Sequence, residues 1–439
     1  MKRDVSRVHL PHNKNTANCA SVVCEPPKEV FIPLKMCSGR SELDCCVKVG
    51  DHVKVGTLLG TLSEGTFAPV HSSVSGTVKD IIPVLTNGAM VGSVVIESDG
   101  KMEVDECVKA PAEPANLDEF LECVKNSGCV GLGGAAYPTW GKLAAAQHGH
   151  IHTFLINGAE CEPYLTSDNR TMIEDGEYIE KGINLLKKYL GTEHFKIGIE
   201  SNKPEAIKGL KERFANDSAV EVVELSTLYP QGAKQVLLYN VTGEVQKPGT
   251  RLAELGVLII NVTSLVKMAQ YFETGMPLVS RCVTVDGSMV KNPGNYVVPI
   301  GTPISYLFEQ AGGFTEDPTK VIIGGPMMGH AVRDLDEPVV KATGGVVAFS
   351  EKEARIVEPS PCIHCGKCVD ACPLSLNPTE FAKAMATDDL ELRAEILKRE
   401  QISLCMQCGC CSFVCPAHRP LVQTNIKANS YLRSLNKRR

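Results

Sequence analysis

Two short cysteine runs near the end of the chain constrain its fold more than any other feature. Each run has the spacing C-x2-C-x2-C-x3-C and is followed by a proline. The first run is Cys362, Cys365, Cys368 and Cys372, and the second is Cys405, Cys408, Cys411 and Cys415. Two copies of this bacterial ferredoxin pattern predict two [4Fe–4S] clusters. Zinc sites pair two C-x2-C units over a longer gap, so zinc is a far weaker interpretation.

The geometry of such runs also assigns the ligands. Three thiolates on a tight loop can wrap one cube, whereas the fourth begins a helix and reaches the other cube. A proline suits that first helical turn because no amide donor is needed there. Cys410 does not fit the C-x2-C-x2-C-x3-C spacing and is interpreted as a structural cysteine. One cluster is therefore predicted to bind Cys362, Cys365, Cys368 and Cys415, and the other Cys405, Cys408, Cys411 and Cys372.

Length and composition describe the rest of the molecule. A chain of 439 residues predicts two to four domains, and 22% charged with 43% hydrophobic residues is typical of a globular protein. The net charge of −6 gives no reason to expect nucleic acid. The start of the chain lacks the apolar core of a secretory signal, which favours the cytoplasm. There, 19 cysteines indicate metal ligands and buried thiols, and Cys37, Cys45 and Cys46 are expected to be buried.

The succession of strand-like and helix-like segments along the sequence predicts a multidomain α/β protein. Residues 1–110 have short β-rich pieces that resemble a barrel-sandwich domain, with a linker at the end. Residues 111–275 alternate strands and helices, which favours an α/β domain with a mostly parallel sheet. Residues 276–350 indicate a small β-grasp-like module. Residues 351–439 form the predicted α-helical ferredoxin-like domain, with a turn near Thr387–Asp389 and a frayed, solvated basic tail from Arg433 to Arg439.

A glycine-rich loop is the first candidate binding element of the α/β domain. Gly131, Gly133 and Gly134 precede an alanine-rich helix, and Lys142 lies one turn into that helix. Because the loop follows a helix instead of a strand, it is not a standard dinucleotide fingerprint. Glycines still let a backbone approach a phosphate or a planar ring, and a helix start offers amide groups to an anion. A tight packing turn with a solvated lysine is the equal alternative.

A polar loop follows the strand HTFLIN and is the second candidate element. It contains Asn157, Glu160 and Glu162, and Asn261 ends another predicted strand. Loops at the carboxyl ends of parallel strands line the ligand crevice. An amide and two carboxylates suit ring nitrogens or ribose hydroxyls, although solvated surface acids are the commoner outcome for such residues.

Together these segments resemble the C subunits of the Rnf complex, a membrane-bound ferredoxin:NAD oxidoreductase. The similar stretches are VHLPHNKNTA, APVHSSVSG, GLGGAAYPT, INGAECEPYLTSDNR, YPQGAKQ, GGPMMG and both cysteine runs. The middle of the chain also resembles the flavin-bearing subunit of respiratory complex I. Tyr137 and Trp140-Gly141 depart from the usual residues of the family beside the expected flavin.

The resemblance implies a flavin- and nucleotide-binding α/β domain. It places FMN on Gly131, Gly133, Gly134, Lys142, Asn157 and Asn261, and NAD(H) near Glu160 and Glu162. It also implies other subunits of a membrane-bound complex as partners, ferredoxin as an indirect partner, and a peripheral position on the cytoplasmic face of the membrane. Two alternatives stay open: a cobalamin reductase-type flavin/iron–sulfur protein, and a cluster-only electron-transfer adaptor without a nucleotide site.

Overall fold

The computed structural model describes residues 4–35 and 42–437 of the chain. Cys37 and the last two residues of the basic tail, Arg438 and Arg439, lie outside the described residues. The described part of the chain forms four sheets and a helical C-terminal region. Within that part, every helix is too short or too polar to span a bilayer.

The first described segment is residues 4–20, which contains no helix and which we call the N-terminal strap. After it, β1 (Ser21–Val23) pairs in parallel with a strand near residue 295. Residues 21–23, which lie within the predicted barrel domain in sequence, therefore pair with the sheet of the third region. The physical reason is an open edge of that later sheet, whose amide and carbonyl groups are satisfied by β1.

The barrel-sandwich domain follows and consists of two small antiparallel sheets. One has the order β2-β8-β7-β4 and the other β3-β5-β6, and the buried residues between them include Val30, Leu59 and Val78. Cys45 and Cys46 are exposed, so the prediction of buried thiols was wrong for them. They lie at an edge strand that pairs on one side only. The strands are β2 (Glu29–Pro33), β3 (Asp44–Cys45), β4 (His52–Val53), β5 (Leu58–Thr61), β6 (Val70–His71), β7 (Gly76–Thr86) and β8 (Ala89–Ser98).

The α/β domain contains a four-stranded parallel sheet with the order β11-β10-β9-β12. Helices cover both faces, so the central strand Thr153–Gly158 is almost wholly buried. The elements are α1 (Leu117–Asn126), α2 (Thr139–Leu143), β9 (Thr153–Gly158), α3 (Ser167–Glu174), α4 (Gly176–Leu190), β10 (His194–Glu200), α5 (Pro204–Arg213), β11 (Val220–Leu225), α6 (Lys234–Thr242), β12 (Val257–Asn261) and α7 (Val262–Thr274). The predicted parallel sheet is confirmed.

The third region is a mixed sheet with the order β1-β14-β13-β17-β15-β16 and one helix. Its core contains Val283, Val298, Leu307 and Phe308. The elements are β13 (Ser280–Asp286), β14 (Gly294–Pro299), α8 (Ile304–Gln310), β15 (Lys320–Ile323), β16 (His330–Ala331) and β17 (Gly345–Phe349). The loop between β15 and β16 has the sequence GGPMMG and extends toward the α/β domain.

The C-terminal region is helical, as predicted. Helices α11 and α12 break at Thr387–Asp389, where the Asp389 side chain accepts hydrogen bonds from the first amides of α12. The helices are α9 (Glu351–Ala354), α10 (Lys367–Asp370), α11 (Pro378–Ala386), α12 (Leu390–Arg399), α13 (Cys410–Phe413) and α14 (Leu421–Lys437). The basic end is helical through Lys437, so the expectation of a frayed tail was wrong up to that residue.

Candidate functional site

The glycine-rich loop lies between α1 and α2 and closes on itself. The Gly131 amide donates to the Tyr137 carbonyl at 2.8 Å, and the Ala136 amide donates back to the Gly131 carbonyl at 3.0 Å. Gly134 has φ +105, and a Cβ built on it meets nothing within 4 Å. A Cβ on Gly133 lies 3.3 Å from the Asn261 amide nitrogen. The loop therefore has an open side at Gly134 and a packed side at Gly133.

Lys142 supplies a cation beside this loop. Its ammonium donates to the Ile259 carbonyl of β12 at 2.8 Å. Burial and the neighbouring Lys234 lower the pKa of Lys142 to about 8. Lys142 has no ion pair with any residue in the described ranges. An ammonium with spare donors and a cationic neighbour suits a phosphate group.

Asn157 and Asn261 end neighbouring parallel strands at the same register position. The Asn157 amide donates to the Gly232 carbonyl at 3.0 Å. The Asn261 side chain caps α7 by accepting from the Ser264 amide at 3.1 Å, and donates to Asp168 at 2.7 Å. The two asparagines therefore meet at the carboxyl end of the sheet, the usual edge for ligands in open α/β sheets.

Glu160 and Glu162 lie in the loop between β9 and α3, residues 159–166, which we call the acidic loop. Both carboxylates are turned into the protein. Glu160 accepts from the amides of Asp168 at 2.6 Å and Asn169 at 3.3 Å, so it caps α3. Glu162 accepts from the Met327 amide at 3.1 Å. Burial raises the pKa of Glu162 to about 6. Their expected proximity to NAD(H) stays a prediction, and their observed contacts shape the loop.

Asp168 is a member of this site that the sequence interpretation did not single out. Its carboxylate accepts from Asn261 at 2.7 Å and from the Thr263 hydroxyl at 2.6 Å, while its amide donates to Glu160. It lies in TSDNR, at the end of a stretch that carried the family resemblance. Only the fold shows that it connects the acidic loop to the strand end at Asn261.

The second cysteine run lies against the acidic loop. The Tyr229 hydroxyl donates to the Cys408 carbonyl at 2.8 Å and lies 3.5 Å from a Glu162 carboxylate oxygen. A Cβ on Gly409 would lie 3.0 Å from the Met327 carbonyl oxygen. The loop of β9 and α3, the GGPMMG loop and the second cysteine run therefore meet around Tyr229, which is fully buried.

The cysteines fall into two groups. Burial raises the pKa of Cys368, and the nearby Cys415 and Cys362 raise it further. Among the described residues no three His, Cys, Asp or Glu side chains converge on a single metal-ion position. Thiolates are the donors that iron–sulfur clusters require. The second group lines a cavity, with Cys372 from the first run and Cys405, Cys408 and Cys411 from the second. Cys410, which does not fit the spacing, lines the same cavity.

Comparisons with known families agree with this architecture. Residues 6–101 match the RnfC barrel sandwich hybrid domain, and residues 124–270 match the Nuo51 FMN-binding domain. Residues 282–331 match the SLBB domain, and residues 358–419 match the 4Fe-4S dicluster domain. The matches support FMN and iron–sulfur clusters as the cofactors of the chain.

Individual relatives are similar over most of their length. The chain is 40% identical to the C subunit of the Na(+)-translocating ferredoxin:NAD(+) oxidoreductase complex of Acetobacterium woodii, over 86% of each chain. It is 37% identical to the C subunit of the proton-translocating complex of Clostridium ljungdahlii, over 83% of this chain and 80% of that relative. A chain of an NAD+-reducing [NiFe]-hydrogenase is similar in fold, with a TM-score of 0.50 and 20% identity, over 72% of this chain and 63% of that one. The chain therefore belongs to the C subunits of ion-translocating ferredoxin:NAD(+) oxidoreductase complexes.

Proposed function

We propose that this chain exchanges hydride between NAD(H) and FMN and passes single electrons through two [4Fe–4S] clusters to the other subunits of its complex. The complex is a membrane-bound ferredoxin:NAD oxidoreductase, and the chain is a peripheral subunit at its cytoplasmic face. One observation carries the proposal: the Tyr229 hydroxyl joins Glu162 of the acidic loop to Cys408 of the second cysteine run. Asn261 in turn lies against Gly133 of the glycine-rich loop and donates to Asp168, which follows the acidic loop. Nucleotide and cluster chemistry are thereby adjacent in one chain.

FMN, when bound, supplies the exchange between two-electron hydride transfer and one-electron transfer. The chain contributes binding and orientation. Gly131, Gly133 and Gly134 allow close approach of the backbone, and Gly134 faces open space. Lys142 would neutralise the phosphate of the bound FMN. These features support the assignment of the glycine-rich loop as the flavin site.

The remaining side chains orient the nucleotide and exclude water. Asn157 and Asn261 present amide groups at the carboxyl end of the sheet, where ring and ribose groups can be hydrogen-bonded. The loop of Glu160 and Glu162 would line the site for NAD(H). Because both carboxylates already accept backbone amides, these residues act by fixing the shape of the loop.

The geometry also supports an order for the two clusters. The Cys372, Cys405, Cys408 and Cys411 set lies next to the acidic loop through Cys408. Cys365, in the other set, is exposed. We therefore assign the cluster of Cys372, Cys405, Cys408 and Cys411 to electron exchange with the flavin. We assign the cluster that includes Cys365 to exchange with partner subunits.

Two other functions have weaker support. A cobalamin reductase-type protein shares the glycine loop and cluster runs, but the RnfC barrel match and the two relatives favour the ferredoxin:NAD oxidoreductase. A cluster-only adaptor needs no flavin, and the match of residues 124–270 to an FMN-binding domain disfavours it.

The test is anaerobic purification with iron and flavin analysis, followed by NADH titration monitored by visible absorption and EPR. We expect about eight irons, bound FMN and bleaching by NADH. Gly134→Ala should retain iron but lose most FMN, because its Cβ projects into the open side of the loop.

Gly50→Ala is the matched control, since Gly50 has φ +93 and open space but lies in the barrel domain. It shares the backbone strain and should retain FMN. Full iron with neither FMN binding nor reaction with NADH in the wild type would establish the adaptor function instead. Equal FMN loss in both variants would remove the assignment of the flavin to the glycine-rich loop.

A further inference from the structure

The N-terminal strap places a lysine inside the acidic loop. The Lys14 ammonium donates to the carbonyl oxygens of Glu160 at 2.8 Å, Glu162 at 2.8 Å and Leu165 at 2.5 Å. A lysine ammonium has three donors, so all of them are used by one loop. Three carbonyls that point at a single centre are the geometry of a cation site, here filled by a side chain.

The loop needs such a cation because its backbone is strained. Glu160 has φ 45 and Tyr164 has φ 70, and both are residues for which the left-handed region is uncommon. Strained conformations persist when surrounding contacts over-determine them. The carbonyls that bind Lys14 belong to Glu160 itself and to the residues around Tyr164. The ammonium therefore stabilises the turn at its two strained positions.

Electrostatics also favour a cation at this position. Lys14 lies near the carboxylates of Glu160 and Glu200, and also near the ammonium of Lys203. Burial and Lys203 lower the pKa of Lys14 to about 8, while the two carboxylates oppose that shift. Lys203 itself donates to the Ala159 carbonyl at 2.6 Å and holds the start of the same loop.

The strap has further anchors on both sides of Lys14. Val8 and Tyr229 exchange backbone hydrogen bonds, and the His12 carbonyl accepts from the Tyr164 amide at 2.9 Å. The Thr16 and Thr166 hydroxyls lie 2.6 Å apart. Lys14 is thus held at a fixed position relative to the loop by contacts of the strap on both sides of it.

We infer that Lys14 is a positioning residue for the nicotinamide nucleotide: it is the internal cation around which the loop of residues 160–165 is wound, and nucleotide affinity depends on it. The inference rests on the proposed function, since it takes NAD(H) to bind beside that loop. Lys14 does not touch the reacting atoms, so its effect belongs to binding and not to hydride transfer.

The test compares Lys14→Met, Lys14→Arg and the control Lys28→Met in the full-length, anaerobically purified protein. Lys28 is exposed and lies outside the strap and the loop. For Lys14→Met we expect unchanged iron and FMN, an NADH Kd and KM raised at least about tenfold, and kcat changed less than about twofold. Lys14→Arg should recover part of the affinity because it retains the charge, and Lys28→Met should match the wild type.

Hydrogen–deuterium exchange gives a readout that does not depend on nucleotide. The Asp168 and Asn169 amides, which donate to Glu160, should exchange faster in Lys14→Met, whereas strand β10 should be unchanged. A Lys14→Met variant that loses iron or FMN overturns the inference, because Lys14 would then support the cofactor sites and not the nucleotide loop alone.

The two hypotheses fail in different ways. A wild type that binds NADH together with a Lys14→Met variant that binds it equally well overturns the inference alone. A loosened loop with unchanged NADH affinity also overturns it. A wild type that does not bind NADH overturns the proposed function and the inference with it.

Discussion

Tyr229 carries the most direct contact between the α/β domain and the cysteines. Its ring is fully buried, and its hydroxyl reaches both the Cys408 carbonyl and the Glu162 carboxylate. Gly325 permits this arrangement, because a Cβ there would lie 2.1 Å from a Glu162 carboxylate oxygen. The contact between the acidic loop and the second cysteine run therefore depends on one hydroxyl and one glycine.

Tyr229→Phe removes that hydroxyl and little else. One hydrogen bond contributes about 1 kcal/mol, so we expect a folded protein with full iron content. The loss frees the Cys408 loop from the acidic loop, and reduction of the clusters by NADH should slow several-fold in stopped-flow absorption.

Tyr306→Phe is the matched control, since the Tyr306 hydroxyl donates to the Glu25 carbonyl at 2.9 Å, away from the cysteines. It should lose a similar amount of stability without slowing electron transfer. An unchanged rate in Tyr229→Phe would show that the contact holds the domains together without affecting electron flow.

Among the elements of the C-terminal region, the two cysteine runs are predicted to exchange a ligand. Cys372 follows α10 but lines the cavity formed by the loop before α13. The spacing predicts this exchange because the fourth cysteine of a run points away from its own loop. The assignment stays a prediction, which the following substitution tests.

Cys372→Ser should perturb the cluster of the second run. We expect loss of about half of the iron, or an altered EPR signal of the cluster that NADH reduces first. Cys365→Ser should alter the other cluster. Cys410→Ser should leave both intact, since Cys410 is buried and falls off the spacing. If Cys372→Ser and Cys365→Ser alter the same signal, the exchange does not occur.

The elements themselves were largely predictable. The helix at Leu117–Asn126, the break at Thr387–Asp389 and the parallel sheet follow from periodicity and breaker residues, which are local signals. The strap was not predictable, because its contacts join residues far apart in sequence. Lys14 and Asp168 carry no local pattern that indicates their partners, and the inward turn of Glu160 depends on where α3 begins.

At the scale of the whole molecule, Lys341 joins three regions. Its ammonium donates to the carbonyls of Pro69 in the barrel and Gly128 after α1, both at 2.7 Å. Burial lowers the pKa of Lys341 to about 7. His71 lies beside it, and burial together with Lys341 lowers the pKa of that imidazole to about 3.

Lys341 predicts a pH dependence of stability. Between about pH 7 and pH 10.5 the unfolded chain holds a proton that the folded chain has released, so rising pH favours the folded state. Lys341→Met lacks this titration. The wild-type melting temperature, measured anaerobically by calorimetry, should therefore rise relative to that of Lys341→Met between about pH 7 and pH 9.

Lys320→Met provides the comparison, because Lys320 also donates to a carbonyl, that of Ala354 at 3.3 Å, but is not fully buried. The melting temperature of Lys320→Met should change with pH in the same way as that of the wild type. Parallel curves for Lys341→Met as well would mean that Lys341 keeps its proton in the folded protein.

The strap also has a consequence for biosynthesis. Arg7 donates to the Asp370 carbonyl, 363 residues further along the chain, and Lys14 reaches Glu160 across 146 residues. At about 5–20 residues per second, a ribosome needs roughly tens of seconds to produce the last of these partners. The strap is therefore synthesised well before these partners, and it cannot complete its contacts until they have been made. The acidic loop reaches its final shape only when the strap has docked and Lys14 has bound its three carbonyl oxygens.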